Sequence, residues 1–267
     1  MLLARRDSGE VPHFSRVLVE TTGLADPAPI VQLLLANPLV SHFVLLDAVV
    51  VTVDAANAMQ QLDEHAEAVK QVAIADRLLI TKTDLVAAEA LATLQARLRA
   101  LNPAASLETV AHGDIAPDRL FGAALFDPAH KTPDVRRWLN EAAYEQHHDH
   151  DHDHDHVGHA HSHHDSRIQA FCLTFEAPLE WDLVSRWLGA LRTQRGADLL
   201  RVKGILNVLE EKAPLVIHGV HHVFHPPVRL AAWPDSDRRS RLVFITRDIG
   251  RGELEAGLAE AGLMGVA

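Results

Sequence analysis

The stretch VLVETTGLADPAPI, residues 17–30, decides the fold of the first half of the chain. A short apolar run that ends at Glu20 predicts a strand buried on both faces. Gly23 follows shortly afterwards, and Asp26 with Pro27 predicts the N-cap and the first position of a helix. A strand that leads directly into a helix is typical of an α/β sheet, in which ligands bind at the carboxyl ends of the strands.

The composition favours a packed protein that binds neither nucleic acid nor a bilayer. Of 267 residues, 48% are hydrophobic and 23% charged, which predicts one large or two modest folded domains. A net charge of −11 and scattered lysines argue against a nucleic-acid groove. The single Cys172 excludes an intrachain disulfide, and we find neither a signal peptide nor a membrane-spanning run. We therefore expect a soluble, cytoplasmic protein.

The strand-then-helix pattern repeats through residues 1–145. Further strands are predicted at HFVLLDAVVVTVDA, whose apolar run ends at Asp54, at RLLIT and at SLETVAH. A helix is predicted from about residue 58 to residue 75, and Asn102-Pro103 ends a later one. The apolar stripes expected on these helices are Ile30, Leu33 and Leu34, then Leu91, Leu94, Leu98 and Leu101. Such alternation predicts βαβ units and a mostly parallel sheet.

A histidine-rich tract divides the chain. The sequence QHHDHDHDHDHVGHAHSHHD, residues 146–165, contains ten histidines and five aspartates and almost no apolar side chain. It cannot bury enough surface to offset the entropy of ordering, so we predict a disordered linker between residues 1–145 and residues 166–267.

Residues 166–267 have a different pattern. RIQAFCLTFEAPLEW, DLLRVKGILNV, APLVIHGVHHVF and RRSRLVFITRDI contain strand candidates, and helices are predicted at the stripe from Trp181 to Leu191 and at residues 253–263. This predicts a small antiparallel α+β sheet packed on two helices, with Trp181, Trp187 and Trp233 in its core and Cys172 as a small buried apolar side chain.

Two loops that follow predicted strands carry chemically informative residues. In Glu20-Thr21-Thr22-Gly23, the acid could hold a magnesium-bound water or orient an attacking water, and the glycine would let a backbone N–H approach a phosphate. A helix-capping turn without a ligand is the alternative, and taken alone E-x-x-G favours it.

The second loop is Thr81-Lys82-Thr83-Asp84. An Asp84 carboxylate could accept two N–H groups from the Watson–Crick edge of guanine, while the stem of Lys82 lies over the base plane. The alternative is again a helix cap, by Thr83 or Asp84. The order ETTG and then TKTD, each after a strand, favours a nucleotide site.

Histidines supply the candidate metal ligands. Neutral imidazole binds zinc, nickel, cobalt and copper, and flexible clustered imidazoles should buffer metal rather than select one ion. The alternative is a polar spacer. The candidate ligands are His147, His148, His150, His152, His154, His156, His159, His161, His163 and His164.

A second histidine group lies in VIHGVHHVFHPP. On a single strand His218 and His222 would share one face, and His221 and His225 the other. We interpret them as partly exposed strand histidines, with a metal site as the alternative.

In this order, RVLVETTGLADP, VVVTVDA, QVAIADRLLITKTDL and AHGD resemble the G domain of the CobW-like metal-chaperone GTPases. FCLTFEAPLEW and GVHHVFHPPVRLAAWP resemble that family's C-terminal domain. The resemblance implies an α/β fold with a partial P-loop-type, mostly parallel sheet and a second, smaller α+β domain. It also implies GTP or GDP with Mg²⁺, and delivery of zinc, with cobalt as the alternative, to a client metalloprotein.

The resemblance also implies roles for individual residues. Glu20 would lie near magnesium and Gly23 near the γ-phosphate, while Lys82 and Asp84 would recognise guanine. Thr81 stands where many GTPases have Asn, which implies looser base selectivity. His112 and Gly113 lie in the loop AHGD, residues 111–114, where backbone groups would contact the guanine oxygen.

Two motifs of the family do not occur in this sequence. It contains no G-x-x-x-x-G-K-[ST] phosphate loop and no C-x-C-C metal motif. We therefore expect an N-terminally incomplete G domain that neither binds GTP tightly nor hydrolyses it, because most phosphate contacts are missing. We also expect residues 166–267 to fold alone, and residues 1–145 to be unstable. A non-catalytic protein that buffers metal or docks to a partner, with a vestigial nucleotide fold, is the alternative function.

Overall fold

The computed structural model describes residues 2–36, 38–44, 46–122, 139, 167–209 and 211–263. The predicted linker at residues 146–165, with all ten of its histidines, lies outside the described residues. Within the described ranges, no helix is long and apolar enough to cross a bilayer.

The first half of the chain forms a three-stranded parallel sheet with helices between its strands. Its elements are α1 (Leu2–Asp7), α2 (Pro27–Ala36), α3 (Pro38–Phe43), β1 (Val50–Asp54), α4 (Ala58–Glu64), α5 (Ala66–Ile74), β2 (Arg77–Thr81), α6 (Ala88–Leu101) and β3 (Ser106–Val110). The strand order β1-β2-β3 is parallel throughout, which confirms the predicted α/β class.

The apolar run at residues 16–20 does not form the predicted strand. Residues 17–20 have no regular structure, and Leu18 is 80% exposed. Within the described residues no strand pairs with this run, and an isolated extended segment gains neither ladder hydrogen bonds nor a buried face.

Two helix predictions also need correction. The single helix expected at residues 58–75 is divided at His65, whose backbone is extended; its N–H still reaches Gln61 O, and Ala68 N–H bonds to its carbonyl. On α2, Val31 is buried and Leu33 is exposed, because the helix turns Val31 toward the second sheet.

The second half forms an antiparallel sheet. Its elements are β4 (Ile168–Phe175), α7 (Trp181–Arg195), β5 (Leu199–Leu206), β6 (Leu215–Val220), β7 (Val223–Phe224), β8 (Val228–Arg229), β9 (Ser240–Arg247) and α8 (Arg251–Glu260). The order is β4-β9-β5-β6-β7, and β8 pairs with β6. This confirms the predicted second domain with an antiparallel sheet.

Both faces of this second sheet are covered. Phe171, Trp187 and Phe244 belong to the cluster that α7 and α8 cover. On the opposite face, Leu200, Ile205 and Val243 pack with Val31 of α2 and with Ile74 of α5. Every residue of β5 is buried for this reason. Trp233 and Cys172 are partly buried against this second cluster, and Trp181 is partly buried against the first.

A buried ion cluster joins the two sheets. Arg201 of β5 forms an ion pair with Asp76 and donates to the carbonyl of Ile74 at the end of α5. Lys203 Nζ lies 3.4 Å from the same carboxylate, which also accepts a hydrogen bond from Val49 N–H. Burial alone would raise the pKa of Asp76, but the charges of Arg201 and Lys203 outweigh it and lower that pKa to about 2.

The pKa of Lys203 is lowered as well, but here burial is the main cause. Burial, followed by repulsion from Arg201, lowers the pKa of its ammonium to about 7, although Asp76 opposes the shift. The cluster therefore contains more potential cations than anions, and Asp76 is the charge that holds it together.

Candidate functional site

A cleft lies where the parallel strands β2 and β3 end. It has a volume of about 350 Å³, and its lining residues are Thr81, Lys82, Asp84, Leu85, Val110, His112 and Gly113. The five residues that the sequence assigned to base recognition thus come together around one opening. This is the edge at which parallel α/β sheets bind their ligands.

One wall of the cleft begins at Thr81, the last residue of β2. Its carbonyl accepts a hydrogen bond from Ala55 N–H at 3.0 Å, and its hydroxyl donates to Val53 O at 3.3 Å. Lys82 then adopts a left-handed backbone with φ 56°, and a short 3-10 helix, Thr83–Leu85, follows. Asp84 is exposed in that helix, so its carboxylate is accessible to a ligand.

The other wall is the turn at residues 111–114. His112 and Gly113 both have positive φ, 53° and 77°, and Asp114 N–H donates to Ala111 O at 2.9 Å. Glycine adopts this conformation readily, whereas it is uncommon for other residues, although less so for histidine than for lysine. Lys82 and His112 are therefore two non-glycine residues held in a left-handed conformation on one cleft. Such strain clusters at ligand-binding sites.

Asp54 at the end of β1 holds Lys82 in place. Lys82 Nζ donates to Asp54 Oδ2 at 2.7 Å, and the hydrogen bond from Lys82 is the main reason that the pKa of Asp54 lies below its ordinary value. Sequence reasoning noted Asp54 as a strand end but did not assign it to the site. The β1–β2 register, which places Asp54 opposite Thr81, brings it to the site.

The loop that contains Glu20 and Gly23 lies outside this cleft. Gln71 of α5 donates to Gly23 O at 3.0 Å and to Ala25 O at 2.8 Å, whereas Glu20 is exposed. Asp26 caps α2 as predicted, because its Oδ1 accepts from Ala28 N–H at 3.0 Å.

Asp26 is held from a second side by Lys70. Lys70 Nζ lies 2.8 Å from Asp26 Oδ2, so α5 holds the loop through an ion pair as well as through Gln71. Burial would raise the pKa of Asp26, but the hydrogen bonds from Lys70 and from Ala28 N–H lower it overall.

Both halves of this chain are similar to known protein families. The family model described as the CobW/HypB/UreG nucleotide-binding domain matches residues 2–108, and the cobalamin synthesis protein cobW C-terminal domain matches residues 168–262. The zinc chaperone YjiA of Escherichia coli K12 is 31% identical over 258 residues, which cover 97% of this chain and 74% of that protein. The chain belongs to the CobW-like family.

Other comparisons agree with this assignment. The crystal structure of Zn(II)-bound YjiA GTPase from E. coli matches with a TM-score of 0.72 at 30% identity, over 97% of this chain and 74% of that one. The zinc-regulated GTPase metalloprotein activator 1 of Schizosaccharomyces pombe is 32% identical over 38% of this chain and 25% of its own length. Its Saccharomyces cerevisiae namesake is 23% identical over 95% of this chain and 63% of its own length.

The described residues of this CobW-like chain do not form a metal site. Within the ranges that the structure covers, no group of three or more His, Cys, Asp or Glu side chains could hold an ion. Glu20 is one exposed carboxylate, and protein-bound magnesium usually takes one or two carboxylates together with substrate phosphates. Glu20 could therefore supply one ligand of such an ion, and the other ligands would have to come from phosphate and water.

The histidines of the CobW-like C-terminal domain lie on a hairpin rather than on one strand. β6 ends at Val220, and His221 adopts φ 52° in the turn before β7. The predicted sharing of faces is therefore wrong: His218 lies beside His225, with ring centroids 4.9 Å apart and planes 9° apart. His221 is buried with Nδ1 3.1 Å from Ala197 O.

Their geometry favours packing over metal binding. His218 and His225 stack on each other, and within the described residues no group of three or more possible ligands surrounds them. Burial lowers the pKa of His218, His221 and His225, and for His218 the charges of Arg201 and Lys203 lower it further. These three imidazoles are consequently neutral at physiological pH.

Proposed function

We propose that this chain is a CobW-like, GTP-dependent metal chaperone whose cleft at the ends of β2 and β3 recognises the guanine base. The observation that carries the proposal is the convergence of Thr81, Lys82, Asp84, His112 and Gly113 on that cleft. Its volume of about 350 Å³ falls within the range of small-molecule sites. The names of the relatives, a zinc chaperone and two GTPase metalloprotein activators, support the same function.

Base recognition would rest on charge and shape. The Asp84 carboxylate accepts two N–H groups from guanine, an arrangement that adenine does not offer. The alkyl stem of Lys82 packs over the base, and backbone groups of His112 and Gly113 face the guanine oxygen. The Thr81 hydroxyl donates to Val53 O and so stabilises the contact between β1 and β2. We expect selectivity for guanine to be looser than with Asn at that position.

The chain has few residues that could bind the phosphates of the nucleotide. We propose that Glu20 and Gly23 would act near the magnesium ion and the terminal phosphate. In this structure Glu20 is exposed in irregular backbone, and the sequence contains no Gly-Lys pair. The chain itself should therefore bind GTP weakly and hydrolyse it no faster than background.

Metal is the proposed cargo. The ten histidines at residues 146–165 would bind zinc, with cobalt as the alternative, between a GTPase portion at residues 1–145 and a C-terminal domain at residues 166–267. The recipient would be a client metalloprotein. A chain that buffers metal without using nucleotide remains the rival function, and nucleotide binding distinguishes the two.

Nucleotide titrations test the proposal. We expect GDP at millimolar concentration to shift the NMR signals of residues 81–85 and 111–114, ADP to shift them less, and Asp84→Ala to abolish the difference. Asp118→Ala is the matched control, because Asp118 is exposed but does not line the cleft. Equal responses to GDP and ADP would contradict guanine recognition. Micromolar affinity for a fluorescent GTP analogue with magnesium, abolished by Asp84→Ala, would contradict the weak phosphate site.

A further inference from the structure

Asp54 accepts several hydrogen bonds next to the proposed base cleft. Its Oδ1 accepts from Ala56 N–H at 3.0 Å, and its Oδ2 accepts from Asn57 Nδ2 at 2.9 Å and from Lys82 Nζ at 2.7 Å. Asn57 also donates its backbone N–H to Asp54 O at 3.1 Å. The carboxylate is thus fixed by its own loop before Lys82 is considered.

The side chains of Asp54 and Lys82 differ in their exposure to solvent. The Asp54 side chain is 20% exposed, whereas that of Lys82 is 56% exposed. A lysine of that exposure would otherwise sample many rotamers, and ordering it during ligand binding would reduce affinity. A short charged hydrogen bond to a fixed carboxylate selects one direction for the side chain in advance.

The sheet brings Asp54 to this position. β1 and β2 are paired in parallel, and Asp54 lies opposite Thr81, the residue before Lys82. Lys82 then turns into its left-handed conformation, so both its backbone and its ammonium are fixed relative to β1. Neither constraint involves Asp84, which lies in the 3-10 helix that follows.

We propose that Asp54, supported by Asn57, is a positioning residue that directs the Lys82 side chain along the guanine-binding cleft. The proposal rests on the function proposed above for that cleft. It assigns Asp54 no contact with the nucleotide: its effect on affinity passes through Lys82.

A labelling experiment tests the pairing without nucleotide. The full chain is treated with a limiting amine-acylating reagent, and modification of Lys82 is measured by mass spectrometry relative to Lys212, which is exposed. We expect Asp54→Asn, which keeps the shape and removes the charge, to increase the labelling of Lys82 about threefold, the scale of an exposed ion pair. Asn57→Ala should give a smaller increase.

The control for this experiment is Asp63→Asn. Asp63 forms an ion pair with Arg97 at 2.8 Å and does not line the cleft, so this variant should leave Lys82 labelling unchanged. Unchanged labelling in Asp54→Asn, with its melting temperature preserved, would overturn the positioning role whatever the nucleotide data show.

A double-mutant cycle tests the consequence for binding. GDP affinity is measured by NMR titration for the wild type, Asp54→Asn, Lys82→Ala and the double variant. We expect about a threefold loss in Asp54→Asn and no additional loss when Lys82 is already alanine. Equal losses in both backgrounds would overturn the proposal, because Asp54 would then act independently of Lys82. If the wild type shows no GDP response while labelling changes as expected, the proposed base site fails, and with it any role of the pair in binding.

Discussion

Arg201→Met should be among the most destabilising substitutions in this protein. The Arg201 and Asp76 side chains are 3% and 9% exposed, so removal of the guanidinium leaves a carboxylate buried without its main partner. Breaking a buried pair in this way costs about 3–5 kcal/mol. Lys203 remains 3.4 Å from Asp76 and compensates in part, but the hydrogen bond to Ile74 O is also lost. We therefore expect a loss of about 3–4 kcal/mol in the free energy of unfolding.

Urea denaturation of the full chain measures this loss. With an m-value of about 3 kcal/mol/M, the transition midpoint should fall by about 1 M. Arg229→Met is the matched control, because Arg229 pairs with Glu211 on the surface and its side chain is 59% exposed. That variant should change the free energy of unfolding by less than about 1 kcal/mol.

The double variant Asp76→Asn/Arg201→Met separates the ion pair from simple packing. Since both charges are removed together, it should be less destabilised than the sum of the two single variants, by about 2 kcal/mol or more. A midpoint for Arg201→Met that matches that of Arg229→Met would refute the reasoning, because it would show that the two sheets are joined by apolar packing alone.

Three further predictions concern metal, pH and domain stability. Deletion of residues 147–164 should remove most bound zinc or cobalt, measured by elemental analysis, and metal affinity in the intact chain should fall below about pH 6 as imidazoles protonate. The unfolded chain binds more protons than the folded one at Lys203 between about pH 7 and 10.5, and at His218, His221 and His225 below about pH 6.5. The free energy of unfolding should therefore decrease on acidification through both pH ranges, whereas the contribution of Asp76 persists until the pH falls below about 4. Equal urea midpoints at pH 9, 7 and 5 would contradict this prediction. Residues 166–267 expressed alone should unfold at lower urea concentration than the same domain within the full chain, since one face of their sheet packs on α2 and α5. Residues 1–145 expressed alone should aggregate. A fragment 1–145 that is monomeric by solution size and unfolds cooperatively would contradict the prediction of aggregation.

The prediction about residues 166–267 changes what the sequence alone suggested. Strand and helix patterns in that segment favoured a domain that folds independently. In the structure, Leu200, Ile205 and Val243 are covered by residues of the first half, and Arg201 pairs with Asp76. An isolated fragment would expose this apolar face and leave Arg201 and Lys203 without their carboxylate.

Local patterns were enough to predict much of the fold and the cleft. Apolar runs that end in polar residues identified β1 and β2, and SLETVAH was correctly predicted to contain β3, because strand composition is a local property. Thr81, Lys82 and Asp84 could be placed at a ligand-binding edge from sequence, since the carboxyl ends of parallel strands lie together. The alternation of apolar and polar stretches likewise predicted the helices that cover the sheet.

Other features depended on residues that meet only in the folded chain. RVLVE has the composition of a strand, but a strand exists only where a neighbour pairs with it. The hairpin turn at His221 and the stacking of His218 on His225 follow from pairing between β6 and β7. Arg201 and Asp76 are 125 positions apart, and no periodicity links them. Asp54 became part of the proposed site only through the β1–β2 register, which places it opposite Thr81 and brings its carboxylate to the Lys82 ammonium.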